Sequence, residues 1–327
     1  MKTIRKGISK SDFENIPIAI AGISLGFMSI STALVEFNIL WVRHLAVLFS
    51  TISILILIIK AILHPNKVWN ELKNPLAGSI YPTISMTIML IAVYVVKFNL
   101  QFAKTLWISA TILHFIIFIM FTIHMLKDFR LTNMLPSWFI STVGIGLAAV
   151  TSKPMKMPYL SRIIFYYSLV LFIVLGIIMI YRLIFMDKLE GNKKFTLMIM
   201  TAPANICLAG YLAVYEEPNI MLLKFLALLG YASIIYSFVL LPRLINTPFT
   251  LALAPLTFPL GIGVTAAQRY IKYLNHIGSN LEIVLRYILY IQVIVSVIVI
   301  GYIVIKTIHL LIRDFILVNS TMENIKQ

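Results

Sequence analysis

The chain has 327 residues, of which 60% are hydrophobic and 12% charged, with a mean hydropathy of +0.96. That composition excludes a soluble globular domain and makes the bilayer the solvent. A net charge of +15 borders apolar runs rather than forming a nucleic-acid face, and the single cysteine, Cys207, excludes an intrachain disulfide and a cysteine-rich metal site.

Residues 1–15 carry Lys2, Arg5, Lys6 and Lys10 ahead of the first apolar run, as a signal peptide would. The run is too long for one and holds Pro17, Gly22 and Gly26, so a retained first helix is expected. Apolar runs long enough to cross a bilayer follow at 16–34, 42–63, 78–96, 105–126, 135–151, 162–185, 197–214, 220–241, 249–268 and 282–312. The expectation is one all-α integral membrane domain, 1–327, of ten transmembrane helices joined as antiparallel hairpins. An even count puts both short termini on one side. That side collects 17 of the 27 Lys and Arg, which assigns it to the cytoplasm of a cell-membrane protein.

In chain order the spans alternate in kind. Each odd span has a proline near its cytoplasmic start: Pro17, Pro82, Pro136, Pro203 and Pro255, with Pro259 close behind the last. Even spans are bulky and carry no internal proline, as in Leu171–Ile180 (LFIVLGIIMI) and Ile291–Ile300 (IQVIVSVIVI). The prolines recur at about the length of one hairpin, which points to five weakly similar hairpins. A proline frees a carbonyl that lipid cannot satisfy, so broken helices belong where protein or water can reach them. Two concentric rings result, with the odd spans inside and enclosing something.

Helical spacing gives the odd spans small, partly polar faces. The first offers Gly22, Gly26, Ser29 and Ala33; the fifth Ser137, Ser141, Gly144, Ala148 and Thr151; the seventh Ala202, Asn205, Ala209 and Ala213. Such stripes serve close helix packing or a lined pathway, and their restriction to odd spans favours the pathway. The ninth span repeats the pattern as Ala254, Phe258, Gly261, Thr265 and Gln268, with one large ring in mid-span. Pro259 disfavours α geometry at Phe258 and should bend the helix there. On the residues alone, Phe258 reads first as a core ring wedged between helices, and second as a plug.

None of the twelve acidic residues lies in mid-span, where proton relays and sodium sites need a carboxylate. His114 and His124 lie ten apart, without metal-pair spacing, and no catalytic triad, phosphate loop or zinc motif occurs. The reading is therefore no enzyme, no cofactor, no metal and no nucleic-acid partner. A pathway without carboxylates in a basic protein should pass small anions. Lys10, Lys73, Arg130, Lys194 and Arg243 flank it inside, and Lys97, Lys153 and Arg269 outside.

Three stretches carry a resemblance: FENIPIAIAGISLGFMSIS at Phe13–Ser31, LPSWFISTVGIGLAAVTS at Leu135–Ser152 and LTFPLGIGVTAAQRY at Leu256–Tyr270. They resemble the first, fifth and ninth helices of the tellurite-resistance/dicarboxylate transporter family, which includes malic-acid transport proteins and plant slow anion channels. The resemblance spans nearly the whole chain, and Thr-Phe-Pro-Leu is its most specific part. It implies five hairpins in quasi-fivefold array around a central anion pore, usually as a homotrimer. It also implies that Phe258 plugs that pore. The competing function is a carrier for malate, other C4-dicarboxylates or monocarboxylates.

Overall fold

A computed structural model describes residues 10–127 and 129–324, with side chains to Arg313 except that of Ser11. Lys2, Arg5, Lys6 and the last three residues, 325–327, lie outside the described residues. In chain order the helices are α1 (Ala19–Leu34), α2 (Leu40–Leu63), α3 (Pro65–Leu72), α4 (Pro75–Ile80) and α5 (Thr83–Val95). There follow α6 (Leu100–Lys127), α7 (Trp138–Thr142), α8 (Leu147–Val150) and α9 (Pro158–Phe185). The chain continues through α10 (Ala202–Val214), α11 (Ile220–Ile245), α12 (Thr257–His276) and α13 (Leu281–Asn324).

Among the described residues, nine helical stretches are long and apolar enough to cross a membrane, and the chain is a multi-pass, all-α membrane protein. The stretch read as a fifth span, 135–151, is absent from those nine. It is cut into α7, a 3₁₀ turn at Gly144–Gly146 and α8, and nearly every residue of it is buried.

The proline positions explain where odd spans break. Pro82 separates α4 from α5, and Pro203 stands at the start of α10 behind a 3₁₀ segment, Gly191–Thr201. Pro255 lies inside the 3₁₀ segment Leu251–Leu256 that leads into α12. In each case the ring obstructs the carbonyl four residues earlier, so i→i+3 bonding replaces the α pattern. Pro17 is exposed ahead of α1, and Pro259 is accommodated in the first turn of α12. The change of geometry in the ninth span thus falls before Thr257 rather than at Phe258. One outer helix, α11, contains Pro242 near its end, just past the span read from the sequence.

Burial sorts the helices by parity. In the first, third, seventh and ninth spans, 67–78% of the most apolar window is buried, against 33–39% in the outer ones. The outer helices instead present rows of large apolar side chains, such as Ile173, Val174 and Ile177 on α9. Those faces match lipid.

A short amphipathic helix, α3, ties the second span to the third. Its Leu72 is buried in a satellite core with Ile18, Leu57, Tyr81 and Ile117, while Asn66 and Asn70 are exposed. Beside that core Lys60 is only 1% exposed, and its Nζ donates to Glu71 at 2.8 and 2.9 Å and to the Ile16 carbonyl at 2.7 Å. The Tyr81 hydroxyl also donates to Glu71. One ammonium thus joins the start of the first span, the end of α2, and α3. Removing it would leave a half-enclosed carboxylate without its cation, at a cost of about 3 kcal/mol. Lys60→Ala is therefore expected to melt well below wild type in detergent, with Lys60→Met/Glu71→Leu recovering much of the loss. A single variant that melts like wild type would contradict this role.

Candidate conduction pathway

The inner segments close into a ring. α1 packs against both α5 and α12; α5 touches α8, α8 packs on α10, and α10 on α12. Each outer helix then lies against two inner segments: α2 on α1 and α5, α11 on α10 and α12, α13 on α12 and α1.

Small residues permit this closeness. A Cβ added at Gly26 would lie 2.2 Å from the Thr257 Cβ and 2.8 Å from its carbonyl carbon. One added at Gly261 would lie 2.8 Å from Ser29. Between the same two helices, Thr257 Oγ1 donates to the Gly22 carbonyl at 3.1 Å and Gln268 Nε2 to the Ala33 carbonyl at 2.9 Å. The Ser137 and Ser79 hydroxyls meet at 2.7 Å, and Ser141 Oγ donates to the Ser79 carbonyl at 3.3 Å. Gly26, Ser29, Gly261, Ser137 and Ser141 therefore join inner segments to one another.

Asn205 faces outward. Its Nδ2 donates to the Thr201 carbonyl at 2.7 Å and to Ser233 of α11 at 2.9 Å. Ala148 is fully buried, and Thr265 is half-buried with its hydroxyl on the Gly261 carbonyl.

At the level of the proline breaks, all five inner segments border one narrow cavity of about 30 Å³. Gly22 and Leu25 come from the first, Ile80, Thr83 and Met86 from the third, and Phe139, Ile140 and Gly144 from the fifth. Ile199, Ala202, Pro203 and Ile206 come from the seventh, and Ala254, Pro255, Phe258 and Pro259 from the ninth. No charged side chain is in this lining. Its one hydroxyl, on Thr83, donates to the Ile80 carbonyl at 2.7 Å and leaves the walls apolar. Phe258, 8% exposed, forms part of the wall from the first turn of α12.

Several lining residues escape a sequence reading that follows small residues. Phe139, Ile140, Ile199 and Ile206 are bulky and lie outside the small-residue stripes. Their nearness to proline is the signal that marks them. Of the prolines, Pro203, Pro255 and Pro259 line the cavity, while Pro82 lies buried at the start of α5 and Pro136 just before α7.

Two nitrogen-bearing side chains, one buried and one half-buried, brace the ring. His114 of α6 is wholly buried, with Nδ1 3.0 Å from Ser85 Oγ and Nε2 3.2 Å from the Ser141 carbonyl. Arg269 lies toward the other end of α12, about 16 Å from Phe258 at helical rise. Its guanidinium donates to the Ala209 carbonyl at 2.6 Å and to the Val150 carbonyl at 2.8 Å. The Val150 carbonyl ends α8, where a helix terminus carries an orphan acceptor and negative partial charge, and the Ala209 carbonyl lies within the second half of α10.

A closed ring of buried segments, most of them interrupted, within a shell of intact, lipid-matched helices defines a multi-pass membrane protein built around an axis. The chain belongs to the voltage-dependent anion channel family (SLAC1), which it matches over residues 15–308. It is also 23% identical over 188 residues to an uncharacterized transporter of Methanocaldococcus jannaschii. That match covers 53% of this chain and 54% of the other protein, so the chain spans about half the length of this curated relative.

The ring's closeness has a direct test in two glycines. Gly26→Ala forces a methyl group against the Thr257 backbone and should destabilise by about 1–3 kcal/mol. Gly176→Ala, on α9 with nothing within 4 Å of the new Cβ, should instead stabilise by about 0.5–1 kcal/mol. Thermal unfolding of both variants reads the contrast, and equal effects would contradict the packing.

Proposed function

We propose that this chain is an anion channel whose lumen is the space between the five inner segments, closed by Phe258. The observation that carries this reading is the cavity itself, walled by every inner segment and by no carboxylate. In a narrow apolar passage, an aromatic ring blocks ions by filling the bore and by making hydration unfavourable. Selectivity then comes from charge at the mouths. Lys73, Arg130, Lys194 and Arg243 border one end of the inner segments, and Lys153 and Arg269 the other. Their potential raises the local anion concentration, more so at low salt.

The proposal takes the assembly to be a homotrimer in the plasma membrane, with both termini in the cytoplasm. The resemblance supports the trimer, and the bias of basic residues supports the orientation. One observation favours a second reading: the Methanocaldococcus jannaschii relative is described as a transporter. Under that reading the cavity binds a dicarboxylate such as malate and moves it by alternating access.

Phe258→Ala separates these readings. As a tightly packed core residue, Phe258 would lose about 3–5 kcal/mol on truncation and the protein would fold poorly. As a plug it loses much less contact, so the variant should fold and chloride or nitrate efflux from proteoliposomes should rise about tenfold or more. A carrier would show no such leak. A well-folded variant with wild-type efflux would overturn the gate.

A further inference from the structure

Away from the axis, three basic side chains gather where α2 begins and α5 finishes. Lys97 Nζ lies 4.1 Å from the centre of the Tyr94 ring and 4.9 Å from that of Phe98. The Arg43 guanidinium lies 5.8 Å from the same tyrosine ring, and His44 Nδ1 is 2.8 Å from the tyrosine hydroxyl. Arg43 Nε is buried without a hydrogen-bond partner. Among the described residues, no carboxylate pairs with Arg43, His44 or Lys97, whereas Lys60 pairs with Glu71 and Arg286 with Glu282. Phe98, which Lys97 touches, is 70% exposed, and Trp41 and Phe102, close by in the chain at the starts of α2 and α6, are 65% and 58% exposed.

A tyrosine face stabilises a cation but supplies no counter-charge. Cations gathered on one ring at a helix end, beside exposed aromatic side chains, leave an anionic group missing at the depth of lipid headgroups. The geometry points to a binding site for the phosphate of an anionic phospholipid, its acyl chains lying along Trp41, Phe98 and Phe102. Charge complementarity selects this occupant. A second copy of the chain brings a net charge of +15, and a zwitterionic lipid brings no net charge. The bound headgroup would clamp the first hairpin to the third span from outside the ring, away from the cavity.

Native mass spectrometry of the full chain in detergent, titrated with phosphatidylglycerol or phosphatidylcholine, tests this site. Wild type should retain phosphatidylglycerol in preference. Lys97→Ala should weaken that retention about fivefold, and Lys97→Ala with Arg43→Gln about thirtyfold. Lys224→Ala, an exposed change on α11, should leave it unchanged. If Arg43→Gln fails to fold, Lys97→Ala with His44→Ala replaces it, since both side chains are exposed. Unchanged retention in the double variant would overturn the site. So would displacement by inorganic phosphate alone, which indicates a free-anion site. A change in oligomeric mass would assign the patch to a second copy instead.

Discussion

Inside a bilayer every backbone amide must find its partner within the protein, and this constraint organises the whole molecule. Proline withholds one donor and frees one carbonyl, so a helix that contains it is costly against lipid. The chain resolves the conflict by position. Segments broken near Pro82, Pro136, Pro203 and Pro255 are buried, and intact helices such as α2, α6 and α9 cover them. The side chains follow the same division, with glycine, serine and alanine at the inner contacts and isoleucine, leucine and valine outside.

The breaks that forbid lipid contact also shape the space on the axis. A straight α-helix at each inner position would run its side chains continuously along the centre. The 3₁₀ segments at Gly191–Thr201 and Leu251–Leu256 interrupt that course, and the cavity lies beside the junctions where α10 and α12 begin. Polar groups near the axis are mostly committed elsewhere. Thr83, Thr257 and Ser141 bond backbone carbonyls, which leaves apolar walls and makes the aromatic ring of Phe258 an effective seal in the proposed channel. Arg269 works at the far end, where it caps the carbonyl end of α8 and bonds a carbonyl within α10.

How far the sequence could be read depended on whether a signal was local. Proline acts on its own turn, so the alternation of broken and intact spans was legible, and the burial of those segments agrees with it. The fifth span was legible as an apolar run with a proline at its start, but its interruption at Gly144–Gly146 was not, because no proline marks that 3₁₀ turn. Small-residue stripes located the inner helices without saying what each residue touches. The reason is geometric. A 3₁₀ turn advances about 20° more per residue than an α turn, so the three residues Gly144–Gly146 rotate the following face by about 60°. The stripe from Ser137 to Thr151 assumed one unbroken helix. In the fold, Ser137 and Ser141 meet Ser79 while Gly144 reaches the cavity. Long-range contacts left no trace at all: the Lys60–Glu71 pair and the hold of Arg269 on two other segments depend on tertiary placement.

The central claim is that a ring of flawed helices encloses an anion-selective path. The most direct measurement is the reversal potential of planar-bilayer currents carried by the protein under a potassium chloride gradient. The account predicts a reversal close to the chloride equilibrium potential, drifting toward zero as high salt screens the basic mouths. A reversal near the potassium equilibrium potential would contradict it.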